Sequence, residues 1–473
     1  MVILYAVHAF DKAHLVMLAE QGLIPREAAV AMVRSLRATE ADGFEKARGA
    51  AGGGLHSGEH LLIRQLGEDV GGHVHLGRSS GDLGAVSARI VQRDALLDVM
   101  AELNALRATT LEVAESHAET VMPGYLQGQH AQPVTLGHYL AGWAAVLERD
   151  FARAREAYGR INESPAGAAI MTGSDFPVDR HRVSDLLGFD RPSQNTLDAI
   201  LSNDSLLDSF AVLAFLNADL SRWAEDVLLW TTSEFDLAEI PDRFCGTSSI
   251  LMQMKSPYAP EFVKGLGAAA VGGLVTAFIV ERSATGLALL DRQYSYDALW
   301  RLQRDSLRDL RWWRELLASL EWNVGRMEAL AGEHWATATD LAGALVRERG
   351  LPWRTAHQIV GILVRLAEER GLVPGDVTTE LLDEAAVEYQ GEPVGLSGDA
   401  IRQALDPRHF IGARHLYGGP APETLRRGVD ELRASLERDE AALESAAERV
   451  ASAQRTLETA VDALLDDHKG TES

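Results

Sequence analysis

Apolar residues recur along this chain at steps of three, four or seven positions, and strand-like alternation is nearly absent. The spacing runs from Leu96 to Val113 and again through the segment 296–322. In the segment 213–230 it keeps a strict 3-4-3-4-3 rhythm, at Leu213, Leu216, Leu220, Trp223, Val227 and Trp230. Such spacing places apolar side chains on one face of an α-helix. It therefore predicts an all-α fold whose long helices pack as a bundle.

One segment, 265–280, is apolar without interruption. It has 16 residues between Lys264 and Glu281, whereas a membrane-spanning helix needs about 20. We therefore expect a buried core helix and no membrane span. A helix that is apolar on several sides also indicates a bundle that continues into neighbouring copies of the chain.

Two segments rich in glycine or proline, 45–60 and 351–361, interrupt the helical pattern, and 422–467 forms a charged amphipathic helix. Asn195, which opens one short segment, is interpreted as the end of a helix. The pattern predicts three mostly helical domains, over 1–76, 77–331 and 332–473.

The composition excludes several classes of partner. The net charge is −24 and the pI near 5.0, so the chain lacks the basic surface that nucleic acids or anionic membranes require. A small anionic substrate is compatible, because a few arginines and lysines can form a local positive site. The chain has one cysteine, Cys245, and no visible secretory signal, so we expect a cytoplasmic protein without disulfides.

Six segments, in order and at similar spacing, resemble argininosuccinate lyase: 68–86, 123–140, 164–180, 195–205, 247–257 and 336–372. The resemblance implies a member of the fumarase/aspartase superfamily, with a three-domain fold and a homotetramer built on a central 20-helix bundle. It also implies active sites that each draw on three subunits, a small carboxylate-bearing substrate, and neither cofactor nor metal.

The chemistry that the resemblance implies is an elimination beside a carboxylate. A serine in a mobile loop removes a proton, and the resulting dianion needs cationic and hydrogen-bonding groups aimed at its oxygens. Closure of the loop excludes water and completes the site. In this sequence Ser248 takes the place of the catalytic serine, Ser249 that of the second serine, and Glu261 that of the assisting glutamate.

The serine loop, "TSSILMQMKSP", departs from the family pattern at the positions that bind substrate. Met254 falls where the lysine belongs and Ser256 where the asparagine belongs. Lys255 is displaced by one position, which in an extended segment reverses the side of the chain to which it points. We retain Lys255 and Ser256 as candidate substrate contacts.

The second motif is altered at its threonine and histidine, which are Leu126 and Gln127 in this sequence. A glutamine can hydrogen-bond but cannot exchange a proton near neutral pH. Gln127, Gln129 and His130 are the candidate substrate contacts here, and His130 replaces the missing acid–base group only if the loop is rebuilt.

The first motif keeps Arg78 and Ser79 as candidate substrate contacts, but Ser80 and Gly81 replace an arginine and an asparagine. The family's tyrosine and glutamine for the arginine half become Leu289 and Tyr294. Together the substitutions predict a substrate other than argininosuccinate.

A rival group of residues is the segment "HSGEH", in which His56 and His60 on a helix would share a face and bind zinc with a third ligand such as His73 or His75. Gly58 and the preceding glycines favour a loop instead, so we expect no metal here.

The preferred hypothesis is therefore a lyase that eliminates, or in reverse adds, an amine-type group beside a carboxylate, with fumarate as product or substrate. The altered motifs indicate specialised metabolism. Two alternatives remain: a tetrameric homologue without catalysis, and a different elimination or cyclisation in the same pocket.

Overall fold

The computed structural model describes residues 2–286 and 290–469, and helices dominate it. The α-helices are α1 Leu4–Glu20, α2 Arg26–Asp42, α3 Phe44–Ala50, α4 Ser57–Leu66, α5 Glu68–Gly71, α6 Ser80–Ser116, α7 Leu136–Ile161, α8 Arg180–Leu186, α9 Thr196–Leu201, α10 Asp204–Trp230, α11 Tyr258–Glu281, α12 Arg292–Leu317, α13 Val324–Ala331, α14 Ala338–Arg349, α15 Trp353–Glu369, α16 Thr379–Gln390, α17 Gly398–Leu405, α18 Pro407–Gly412 and α19 Pro422–Lys469. The all-α prediction is confirmed.

Short strands of two residues each lie in the segments between helices and pair with one another. They are β1 Val121–Met122, β2 Tyr125–Leu126, β3 Gln129–His130, β4 Val134–Thr135, β5 Glu163–Ser164, β6 Arg191–Pro192, β7 Ala238–Glu239, β8 Gly246–Thr247, β9 Lys255–Ser256 and β10 Glu321–Trp322. The pairs are β1–β4, β2–β3, β5–β6, β7–β10 and β8–β9, and only β5–β6 is parallel among them. Short 3₁₀ helices cover 72–75, 242–244 and 374–376.

The long helices α6, α7, α10, α11 and α12 pack side by side as the central bundle. All six apolar positions of the 3-4-3-4-3 rhythm in α10 are buried, which confirms the face predicted from their spacing. Trp223 lies parallel to Trp143 of α7, with ring centroids 4.9 Å apart, and meets Trp313 of α12 edge-on. Stacked and edge-on aromatic pairs add to the free energy of burial.

Helix α11 differs from its prediction as a buried core helix. It is 24 residues long, and only 22% of its most apolar 18-residue window is buried, because only one side packs against α10 and α12. By length and composition this helix could cross a membrane. Five apolar side chains of this helix are largely exposed in the single chain, at Phe262, Val271, Val275, Phe278 and Ile279. We call these five residues the α11 face.

The N-terminal and C-terminal helices contact different parts of the bundle. Helices α1 and α2 lie at one end, and α19 runs along α6, α7 and both N-terminal helices. Residues between Leu341 and Leu405 form a separate apolar core. The division into three domains stays a prediction.

Within "HSGEH", His56 and the glycines before it lie in a loop as expected, but residues 57–60 are helical, so the loop prediction is wrong for Gly58. Gly58 lies in the first turn of α4, where a Cβ atom would be only 2.0 Å from Asp11 Oδ2. The glycine is therefore required by close packing and does not mark a turn.

Candidate active site

The serine loop is a small hairpin closed by β8 and β9, and Ser248 directly follows β8. Ser248 Oγ accepts hydrogen bonds from the backbone N–H groups of Ile250 at 3.3 Å and Leu251 at 2.9 Å. Ser249 is exposed and Ser256 is buried at the far strand. Two backbone dipoles thus converge on the oxygen of the predicted base, an arrangement that favours its deprotonated form.

The tip of this hairpin exposes apolar side chains. Ile250 is 80% exposed and Met252 is 95% exposed. Glu261, in the first turn of α11, is also exposed. Nothing within the described part of the chain covers the tip, so the loop is free to pack against another molecule.

Lys255 points away from the loop tip towards acidic side chains of the same chain. Its Nζ atom lies 2.8 Å from Glu239 Oε1 and 2.8 Å from Asp242 Oδ1. These two bonds raise the pKa of Lys255, so the ammonium is charged at neutral pH. A substrate carboxylate would have to share this lysine with both acidic groups or displace them.

The second motif forms the hairpin of β2 and β3. Gln127 and Gly128 both have positive φ angles, 55° and 72°, which is the geometry of a two-residue type I′ turn. Gln127 and Gln129 are exposed at this turn. The replacement of the family's histidine by Gln127 therefore leaves a solvent-facing amide at the turn.

His130 lies on the protein side of the same hairpin. Its ring contacts Tyr125, with centroids 4.9 Å apart, and His334, with centroids 4.6 Å apart. Burial, and then the neighbouring His334, lower the pKa of His130. Its Nδ1 atom is buried and makes no hydrogen bond to any described residue. His130 is therefore a neutral imidazole near pH 7 with an unused nitrogen.

Arg78 lies inside the protein, not at a surface. Its Nη2 donates to Asp11 Oδ1 at 2.6 Å, and its side chain is 1% exposed. Asp11 also pairs with the buried Arg48. Burial alone would raise the pKa of Asp11, but the Arg78 and Arg48 cations hold it below its usual range. Nε and Nη1 of Arg78 are buried and make no hydrogen bond to a described residue, and its role in substrate binding stays a prediction.

Ser79 is the N-cap residue of α6. Its hydroxyl accepts a hydrogen bond from Gly81 N at 3.3 Å, while Asp82 Oδ1 accepts from Ser79 N at 2.8 Å. Asp82 Oδ2 also accepts from Gly167 N. Despite these bonds, burial raises the pKa of Asp82 to about 6. The first motif therefore starts the longest bundle helix, whatever else it contacts.

A cavity of about 460 Å³ opens where the family's arginine and asparagine are replaced. Ser80 and Gly81 form part of its wall. Apolar and cationic side chains complete it, among them Ile170, Ile200, Trp300 and Arg89. At Gly81 the wall is closely packed, because a Cβ atom there would lie only 2.8 Å from the Ala169 carbonyl oxygen. Leu289 lies outside the described residues, and Tyr294 is 79% exposed.

The predicted site residues form two groups, one at each end of helix α6. Arg78 and Ser79 precede α6, while the β2–β3 hairpin follows its other end. The 37 residues of α6 span roughly 55 Å at about 1.5 Å per residue. The serine hairpin shares the second end, since Tyr125 packs against Phe235 shortly before it. One chain therefore does not bring these groups together.

The buried ion pairs around Asp11 were not predicted from the sequence. A signal was present in "AFDKAH", where Asp11 and Lys12 interrupt an apolar helix. Charged residues in such a position are buried only when they are paired. Their partners, Arg48 and Arg78, could not be identified from spacing, because they lie 37 and 67 positions away.

Comparisons with known proteins cover nearly the whole chain. Residues 25–272 match the family described as Lyase, and residues 335–412 match Argininosuccinate lyase C-terminal. The argininosuccinate lyase of Methanothermobacter thermautotrophicus is 37% identical over 90% of this chain and 92% of its own length. That of Methanosarcina acetivorans is 36% identical over 97% of this chain and 91% of its own length.

Solved structures agree with this result. The crystal structure of EDDS lyase in complex with formate is 33% identical, with a TM-score of 0.91, over 98% of this chain and 92% of that chain. An EDDS lyase variant with bound fumarate matches with the same values.

Proposed function

This chain belongs to the argininosuccinate lyase family of carbon–nitrogen lyases, and we propose that its substrate is a carboxylate-bearing amine other than argininosuccinate. The reaction releases fumarate and an amine, or adds the amine to fumarate. Ser248 removes the proton from the carbon beside the carboxylate. The observation that carries this proposal is the convergence of the Ile250 and Leu251 N–H groups on Ser248 Oγ, because an alkoxide needs such donors.

The remaining predicted residues have supporting roles in this proposal. Glu261 assists the acid–base steps with Ser248. Substrate oxygens are bound by residues of both hairpins and of the segment before α6, namely Ser249, Lys255, Ser256, Gln127, Gln129, His130, Arg78 and Ser79. His130, a neutral imidazole on the same hairpin, replaces the absent histidine in this proposal.

We also propose that the active site forms only in an oligomer, a homotetramer in the cytoplasm. The roughly 55 Å between the two ends of α6 separates the Ser79 segment from the Ser248 hairpin. The α11 face supplies an apolar surface for association between copies. Residues from different copies can then meet in one site.

Two observations support a substrate other than argininosuccinate. Ser80 and Gly81 lack the polar side chains with which the family binds substrate, and Gln127 replaces a titratable group. Similarity alone does not determine the amine, because relatives at 33–37% identity include both argininosuccinate lyases and EDDS lyase.

Proton NMR of fumarate with the pure protein and a pool of amines and amino acids tests the proposal. We expect loss of the fumarate signal and new aspartate-like methine and methylene signals. Ser248→Ala should lower the rate by about 10²–10⁴-fold, as loss of a general base does. Ser249→Ala distinguishes the two serines: it removes a proposed substrate contact but leaves the base in place, so it should retain more activity than Ser248→Ala.

Argininosuccinate is assayed in parallel in the direction that releases fumarate. Rapid turnover of argininosuccinate would contradict the substrate proposal, and unchanged turnover in Ser248→Ala would contradict the assignment of the base. Consumption of a substrate without release of an amine would instead indicate another elimination or a cyclisation in the same pocket.

A further inference from the structure

We propose that His56, Glu59 and His75 bind one divalent transition-metal ion, of which Zn²⁺ is the representative, and leave a fourth coordination position open. The three side chains meet where the first turn of α4 packs against the 3₁₀ helix 72–75. This proposal rests on their geometry and does not depend on the proposed reaction.

The distances between the ligand atoms match those around a tetrahedral ion. His56 Nδ1 lies 3.2 Å from Glu59 Oε2, and His75 Nδ1 lies 3.4 Å from the same oxygen. Bonds of 2.0–2.2 Å to zinc place neighbouring donors about 3.3–3.5 Å apart in a tetrahedron. The three ligand atoms all lie within 4.8 Å of one another, so small side-chain rotations complete the set.

The chemistry of the donors points to a transition metal. Two imidazoles and one carboxylate are a known ligand set for zinc that keeps one position free, whereas Ca²⁺ and Mg²⁺ prefer oxygen ligands alone. His75 Nδ1 is buried and makes no hydrogen bond to a described residue. A metal ion would supply the partner that this nitrogen lacks.

The predicted pair of His56 and His60 is not the one that the structure brings together. His60 is exposed, its ring centroid is 6.3 Å from that of His56, and its Nδ1 lies 3.3 Å from the Ala51 carbonyl oxygen. The ring of His75 is closer to His56, at 5.1 Å. The HxxEH spacing paired His56 with His60. In the structure the second imidazole is that of His75, and Glu59 supplies a carboxylate from within "HSGEH".

The surroundings of the cluster are compatible with a cation. Arg78 follows His75 by three residues and pairs with Asp11 at 2.6 Å, and Asp11 also pairs with Arg48. Within the cluster, the Glu59 carboxylate supplies the negative charge that a cation needs. Gly58 lets the first turn of α4 approach the Asp11–Arg48 pair closely, which fixes the helix that carries His56 and Glu59. The cluster therefore lies on a rigid support.

Metal binding to the untagged, full-length protein tests this proposal directly. After treatment with a chelator, the protein is titrated with ZnCl₂ by calorimetry, and CoCl₂ provides a visible spectrum that reports four-coordinate geometry. We expect one ion per chain. Glu59→Gln and His75→Gln should each weaken the affinity by more than about 100-fold, because even indirect partners of a metal site contribute about 10–100-fold.

His60→Gln is the matched control, since it removes an imidazole from the same helix and should leave binding unchanged. Circular dichroism checks that each variant is folded, and His75→Gln decides the question alone if Glu59→Gln does not fold. Absence of stoichiometric binding at micromolar ion concentration would overturn the proposal, as would equal affinity in wild type and His75→Gln. In that case His56 and His75 would both contact the Glu59 carboxylate without binding a metal ion.

Discussion

At the scale of single residues, Asp150 in α7 is a buried acid that is only partly paired. It is 2% exposed, and its Oδ1 accepts a hydrogen bond from Arg153 Nη1 at 2.7 Å. Its Oδ2 has no hydrogen-bond partner among the described residues. Burial, and then the Asp219 carboxylate, raise the pKa of Asp150 to about 7, although Arg153 and Arg149 oppose this.

This raised pKa predicts a pH dependence of stability. The folded chain holds the Asp150 proton more tightly than the unfolded chain, so stability falls as the pH rises from about 4 to about 7. Asp150→Asn should remove this loss, and at pH 8 it should raise the free energy of unfolding by up to a few kcal/mol. Thermal unfolding at pH 5 and pH 8 checks this, and a variant no more stable at pH 8 would contradict it.

Residue identity alone could not predict the buried network around Asp11. That Asp11 must be paired follows from its place in an apolar helix, but the choice of Arg48 and Arg78 depends on the tertiary fold. Gly58 illustrates the same limit. Glycine more often marks turns in sequence patterns, whereas here it permits close packing of a helix against a charged pair.

At the scale of elements, Ser79 has two competing roles. The sequence predicts a contact with substrate, and the structure shows an N-cap of the 37-residue α6. Ser79→Ala should cost about 1 kcal/mol of stability as the cap is lost, while Ser79→Asn should retain the cap. The free energy of unfolding from urea titration is the measurement.

The kinetic constants of the same two variants separate the roles. If Ser79 acts only as a cap, Ser79→Asn keeps wild-type kcat/KM. A large loss of kcat/KM in a fully stable Ser79→Asn would instead assign the hydroxyl to the substrate site.

The buried face of a helix could be predicted from apolar periodicity where the helix packs against other helices of the same chain. The spacing in α10 identified its buried face correctly, and Asn195 caps α9 through bonds to Leu197 N and Asp198 N. Helix α11 was predicted to be buried because composition does not distinguish contacts within a chain from contacts between chains. The positions of the two hairpins relative to the Ser79 segment could not be read from spacing either, since they depend on the length of α6.

At the scale of the whole molecule, the α11 face predicts an obligatory assembly. The wild type should have a mass near four times 51.4 kDa by light scattering. Val275, which is 52% exposed in the single chain, lies within this face. Val275→Glu should yield smaller species and lose turnover, because a charge would be buried at the interface without a partner.

Leu416→Glu is the control for this substitution, since Leu416 is 84% exposed and lies outside the α11 face. It should leave both mass and turnover unchanged. A Val275→Glu variant that keeps the wild-type mass would contradict the proposed interface.

The length of α6 also has a consequence for heredity. If each active site takes its base from one polypeptide and its cavity from another, two defective alleles can compensate for each other in one cell. Co-expression of Ser248→Ala with Ser80→Trp, which would fill the cavity, should restore part of the turnover that each lacks alone, because some mixed assemblies contain an intact site. Alleles altered at the same end of α6 should fail to do so, and a complementation map would then order mutations by the end of the helix at which they lie.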